Sequence, residues 1–270
     1  MAESLAEVST ISSSSARLSW LNAEARGRRC QTAQGLPIRF IDAGERSHRL
    51  YEIAIAATGE VPTRTLGDGA WHDLLNAMVW LHWPQSKAQL NRLHASQPQG
   101  PRGPWRDRAT LIDENGLIWL QTDAQLCVWL RERRWNALLR EGRARWPQAV
   151  YAFGHALLHK LMQPFKAITA HVLILECAAV PGMSSEGFPA IPEVDRLLAK
   201  TLANAVDWSM GRALNETDEG SQARSAADAS DRGLDAKLRL KLFPLPVLGI
   251  PGWTAANADP AFYDDPVVFR

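Results

Sequence analysis

Hydrophobic and polar positions along residues 66–91, LGDGAWHDLLNAMVWLHWPQSKAQLN, frame the rest of the chain. Gly67-Asp68-Gly69 carries turn chemistry, because glycine opens backbone angles closed to other residues. Over residues 72–83 a helical period places Leu74, Leu75, Met78, Leu81 and His82 on one broad face. His72, Asp73 and Asn76 form a narrower polar arc opposite, and Pro84 stops the helix. A helix apolar over most of its circumference is buried, so the arc needs partners inside the protein. Those partners are either backbone groups of neighbouring loops or the members of a site. Ser86-Lys87-Ala88-Gln89 then fits a capping box, with Ser86 as expected N-cap of a second helix.

The same reading extends along the chain. Residues 37–42 and 51–56 alternate like two strands of a hairpin. Residues 110–113 and 117–121 flank Asn115-Gly116, a strong hairpin signal, so Asp113 and Glu114 read as turn residues. A long helix is expected over 123–145, another over 149–162, an internal strand over 168–175 and a helix over 192–212. The Ser-rich residues 1–17 suggest a disordered N-terminus, and 213–235 a mobile insertion. Residues 240–270 form a Pro-rich C-terminal arm anchored by Trp253 and Phe262. The expected fold class is therefore α+β: one domain over 18–270, with helices packed on a small, mainly antiparallel sheet and the arm extended across it.

Composition adds mostly exclusions. Thirty Lys and Arg face 29 Asp and Glu among 270 residues, so no bulk field for nucleic acid or membrane exists. Eleven tryptophans exceed the seven Phe and three Tyr together, which implies aromatic pocket walls or a Trp-rich surface. Cys30, Cys127 and Cys177 form no C-x-x-C pair and fit reduced thiols, hence a cytoplasmic setting. Residues 1–17 lack the basic and apolar regions of a targeting segment. The longest apolar runs fall far short of the roughly 20 residues of a membrane span.

Several residues have chemistry to offer. His155 and His159 are four apart on one helix, a metal-ligand spacing, and His171 follows on the next strand. A divalent metal held by His72, His155 and His171, with Asp73 nearby, would give hydrolytic potential. Ala156 takes the place of the general base of an H-E-x-x-H protease. His72-Asp73 matches the HD pair of phosphohydrolases over those two residues only. Between residues 123 and 146, Arg131, Arg133, Arg134, Arg140, Arg143 and Arg145 outnumber Asp123, Glu132 and Glu141. Interleaved with Trp129, Trp135 and Trp146, they offer a nucleic-acid surface or a solvated helix face. Gly182-Met183-Ser184-Ser185-Glu186-Gly187 misses a nucleophile elbow by one residue, and no phosphate-binding glycine loop is present.

The runs G-E-V-P-T-R, H-D-L-L-N-A-M-V-W-L, K-A-Q-L-N, R-D-R-A-T-L-I-D-E-N-G, F-G-H-A-L-L, T-A-H and the P-L-P-V-L-G-I-P-G-W tail resemble a bacterial family known as domain of unknown function 3025. The likeness spans roughly residues 36–270 and lends no activity, cofactor or partner. It favours His72, Asp73, Asn76, Arg106, Asp107, His155 and His171 as site residues. Two functions stand side by side: a hydrolase, metal-assisted or acid–base, working from a His/Asp pocket, and a non-catalytic interaction protein that docks a protein or nucleic acid.

Overall fold

The structure is a computed structural model that describes residues 1–44, 51–97, 103–121, 123–146, 149–176, 190–216 and 240–270. In chain order its elements are α1 (Ala2–Thr10), α2 (Ser14–Gly27), β1 (Arg39–Asp42), α3 (Tyr51–Thr58), β2 (Glu60–Thr63), α4 (Ala70–His82), α5 (Pro84–Ala95) and α6 (Pro104–Asn115). They continue with β3 (Gly116–Gln121), α7 (Ala124–Arg131), β4 (Val150–Ala152), α8 (His155–Met162), β5 (Thr169–Glu176), α9 (Ile191–Glu216) and β6 (Leu242–Pro246). The fold class is α+β, as expected. Two compact units replace the single domain of the sequence reading: Met1–Thr110 with Ile191–Leu240, and Leu111–Ala190 with Lys241–Arg270. Of the insertion expected over 213–235, residues 213–216 belong to α9 and the rest lies outside the described residues.

The first unit is mainly helical. Its core gathers Val8, Leu21, Phe40, Ile55, Leu74, Met78 and Trp80. The N-terminus is not loose: α1 buries Val8, and Ser13 caps α2 by accepting from the Ala16 N–H at 3.2 Å. A Ser run therefore marks a helix start here. Residues 51–58 form α3 in place of a strand, since Glu and Ala favour helix and a short apolar run fits either period. β1 consequently pairs with β2, in parallel. α2 ends in a Schellman motif, with Cys30 N–H on the Ala25 carbonyl and Arg29 N–H on that of Arg26. Arg29 takes the left-handed position at φ 53°, which costs a non-glycine residue about 1 kcal/mol.

Ser86 does not cap α5. That helix starts at Pro84, and Ser86 sits fully buried inside its first turn. The capping anion is Asp195 of α9, whose two oxygens accept from the Gln85 and Ser86 N–H groups at 3.0 and 2.8 Å. Ser86 Oγ donates to the Asp195 carbonyl at 2.9 Å. Burial pushes the Asp195 carboxyl above the usual carboxylate range, against the pull of those hydrogen bonds.

The second unit is built on a four-stranded sheet in the order β4-β3-β5-β6. β3 runs parallel to β5 and antiparallel to β4, and β6 is antiparallel to β5, so two of three ladders are antiparallel. Every residue of β3 is buried. The hairpin expected around Asn115-Gly116 is absent: residues 104–115 are helical, and Gly116 turns the chain from α6 into β3. A Cβ on Gly116 would stand 2.3 Å from the Ile112 carbonyl oxygen. The long helix expected over 123–145 breaks after Arg131, where Arg133 has φ 55°, and resumes as a π-helical turn at Asn136–Glu141. The break lets Trp135, Leu138, Leu139 and Trp146 enter the same core as Leu126 and Leu130, which a continuous helix would carry on its opposite face, and there Trp146 stacks on Trp119 at 4.6 Å.

Three arginines of the broken segment are engaged by partners in the same unit. Arg140 pairs with Asp264 at 3.2 Å, Arg143 with the Asn257 carbonyl at 2.9 Å, and Arg145 with Asp123 at 2.5 Å. Arg140 and Arg143 tie down the C-terminal arm, which follows β6 as short 3-10 turns with Trp253 and Phe262 packed on the core. A Trp-rich surface is also absent among the described residues: Trp80, Trp83, Trp105, Trp119, Trp135 and Trp146 are buried, and Trp71 is exposed. Among the described residues no helix is long and apolar enough to cross a membrane.

Two measurements test this packing. Asp195→Ala leaves the buried Ser86 N–H and the part-buried Gln85 N–H of α5 without their acceptor and lowers unfolding free energy by about 2–3 kcal/mol in urea titrations. His82, hydrogen-bonded to Ser4 at 3.2 Å, has its pKa pulled down to about 4 by burial, then by the amino terminus and Arg28. The neutral ring is favoured in the fold, so its contribution is complete above about pH 6.5 and is lost as pH falls toward 4. Solvent screening of the half-buried ring reduces that loss to about 1–2 kcal/mol. His82→Gln flattens the stability profile across this window; an unchanged slope would contradict the assignment.

Candidate functional site

In the second unit, three polar side chains meet where α6 hands over to β3. Asp113 and Glu114 close α6, and His155 opens α8. Gly154, just before His155, packs directly on this junction: its N–H and that of Phe153 both donate to the Gly116 carbonyl, at 2.9 and 3.0 Å. This backbone clamp brings His155 against the end of α6. His155 Nδ1 lies 3.7 Å from Asp113 Oδ1, and Nε2 lies 3.6 Å from Glu114 Oε2. The imidazole and Asp113 are buried, with side chains 6% and 12% exposed, while Glu114 keeps 37% of its surface in solvent.

Two carboxylates in the last turn of a helix oppose the dipole there. Their retention beside a buried imidazole marks a place where local preference gives way to another requirement. Asp113 faces the ring nitrogen that fixes orientation, and Glu114 faces the nitrogen nearer solvent. The trio can accept, hold and return a proton.

His171 of β5 stands opposite Gly116 in the ladder. Its Nδ1 is buried without a hydrogen-bond partner, and burial followed by the charge of Lys160 lowers its pKa. Lys160 of α8 donates to Asn115 Oδ1 at 2.7 Å, which places its ammonium group beside the same junction. His159, the other member of the i, i+4 pair, is exposed.

The remaining expected site residues belong to the first unit. Asp73 is held by Arg64, which contacts it through Nε at 2.8 Å, Nη2 at 3.1 Å and its backbone N–H at 2.9 Å. That clamp joins the start of α4 to the segment after β2, a structural duty. Asn76 donates to Tyr51 at 3.3 Å while its own carbonyl oxygen is buried without a partner. His72 is half-buried in the first turn of α4. Arg106 and Asp107 lie near the start of α6, and Asp107 is exposed with no ion pair among the described residues.

Asp113 and Glu114 are the residues that sequence reasoning set aside as turn-formers. The signal that could have retrieved them is the run of residues 104–115 without a strand period, which allows Asn-Gly to end a helix as readily as a hairpin strand.

A model of the family described as "Protein of unknown function (DUF3025)" matches residues 38–217 and 215–270. The chain belongs to this family. No curated protein and no solved structure matches the chain. In this DUF3025 chain the matched region takes in both halves of the junction, from α6 to β5, and the whole C-terminal arm.

A Cβ on Gly154 would lie 2.5 Å from Asn115 N, Glu114 O and Gly116 N, all backbone atoms. Gly154→Ala therefore forces α8 away from α6, and denaturant titration registers a loss of about 2–3 kcal/mol.

Proposed function

We propose that this DUF3025 chain is a hydrolase in which His155 is the general acid–base group. The observation that carries the reading is a buried imidazole flanked on both nitrogens by carboxylates of one helix turn. In the proposed step, Nε2 takes a proton from water as the oxygen attacks the substrate's electrophilic centre. The ring, now an imidazolium, is stabilised by Asp113 and returns the proton to the leaving group as the scissile bond breaks. Glu114 orients the water from the solvent side, and Lys160 with His171 would neutralise or bind an anionic part of the substrate.

A metal-assisted form of the same reading uses Glu114 Oε2 and His155 Nε2 as the first two ligands. Their 3.6 Å separation is close to the span of two ligands on one divalent ion. The metal would polarise the electrophile or supply a bound hydroxide. A cytoplasmic setting is supported by Cys30 and Cys127, both buried as free thiols.

The test is hydrolysis of p-nitrophenyl acetate and p-nitrophenyl phosphate by purified protein, against His155→Gln and Asp113→Asn. His155→Gln is expected to lower kcat/KM by about 10²–10⁴ with the circular-dichroism spectrum unchanged. Asp113→Asn, acting through ring orientation, lowers kcat with little change in KM. Loss of activity in chelator selects the metal form, and indifference to chelator selects the acid–base form. Hydrolysis retained in folded His155→Gln would defeat both.

A further inference from the structure

A second feature lies wholly within the first unit and is independent of His155. The end of α2, the start of α5 and one face of α9 enclose an open cleft of about 620 Å³. Arg28, Arg29, Arg196 and Lys200 line it, together with the amides of Gln85 and Gln89. Its volume falls within the range of small-molecule sites.

The charges in this cleft are not balanced. Glu24 is committed to Arg28 at 3.0 Å, and Asp195 turns both oxygens to the N–H groups of α5. Among the described residues no carboxylate pairs with Arg29, Arg196 or Lys200. Three cations facing one concavity without counter-charge repel one another, and an anion between them relieves that repulsion. Arg29 adds a conformational argument. It occupies the left-handed position that ends α2, where glycine is the favoured residue, so an arginine is held there against backbone preference. Gln89 adds a third observation, for its Oε1 is buried without a hydrogen-bond partner among the described residues and is available to a donor that a ligand brings.

We propose that this cleft binds a phosphorylated small molecule, its phosphate oxygens held by Arg29, Arg196 and Lys200. Planar guanidinium groups bind phosphate through paired N–H donors, and the ammonium group supplies a mobile charge. The α5 terminus contributes no free N–H of its first turn, since Asp195 already occupies it, so recognition falls to side chains. Gln85 and Gln89 are placed to hydrogen-bond the part of the ligand that carries no phosphate.

Calorimetric titration of the full chain with inorganic pyrophosphate and with ADP tests the assignment. Both probes are expected to bind, more weakly as salt is raised. Arg29→Gly removes one cation while relieving the backbone, so affinity falls about tenfold with an unchanged or higher melting temperature. Lys200→Gln, on an exposed helix face, gives a similar loss. Tighter binding of ADP than of pyrophosphate would assign the two glutamines to the base; equal binding would confine recognition to the phosphates. Absence of binding by either probe up to about 1 mM, or wild-type affinity in both variants, overturns the proposal. Binding of ADP without pyrophosphate overturns the phosphate-centred geometry as well.

Discussion

Close backbone approach at Gly154 is the constraint on which the second unit depends. One carbonyl, that of Gly116, accepts from two successive N–H groups, and no side chain at 154 or 116 could fit between the segments. From this contact follow the direction in which β3 leaves α6, the start of α8, and the meeting of His155 with Asp113 and Glu114. A site built on backbone contact is held more firmly than one built on flexible side chains. The acidic end of α6 is unfavourable as a helix terminus taken by itself, yet it is favourable once an imidazole faces it.

Anchoring of a different kind governs the first unit. Asp195 reaches from α9 to the first turn of α5, and buried Ser86 answers it through the Asp195 carbonyl. A distant carboxylate thus performs the task usually given to a neighbouring N-cap side chain. The arrangement has two effects. It fixes α9 against α5, and it withdraws the Asp195 carboxylate from the cations that line the cleft between them.

The periodic elements were readable in advance. α4, α9 and β5 lie within a few residues of where hydrophobic spacing puts them, because each buries a continuous face, whereas α8 starts at His155, after residues 150–152 of the expected helix have paired as β4. What the sequence hid were the junctions. Asn115-Gly116 ends a helix here, although the same pair turns hairpins, since both uses depend on the small residue and not on its flanks. Residues 51–58 carry an alternation that Ala and Glu override in favour of helix. The long basic helix is broken because a single rod would carry Leu126 and Leu130 on the face opposite Trp135 and Trp146, and all four enter one core. Of the expected site residues, His155 and His171 lie at one junction, whereas Asp73 is consumed by Arg64. Asp113 and Glu114 read as turn residues because their meeting with His155 depends on a packing contact some forty residues away in sequence, beyond any local pattern.

The fate of the arginines carries the same lesson about charge. A run of six looked like a surface for an anionic partner, yet Arg140, Arg143 and Arg145 are bound to the arm and to Asp123. Among the described residues, cations without a carboxylate partner stand elsewhere, with Arg29 more than 160 residues from Arg196 and Lys200 in sequence. Local density of charge measures how many partners a segment needs. Whether charge remains available to a ligand is decided by which carboxylates the fold has already spent, and here Asp195 is spent on a helix end.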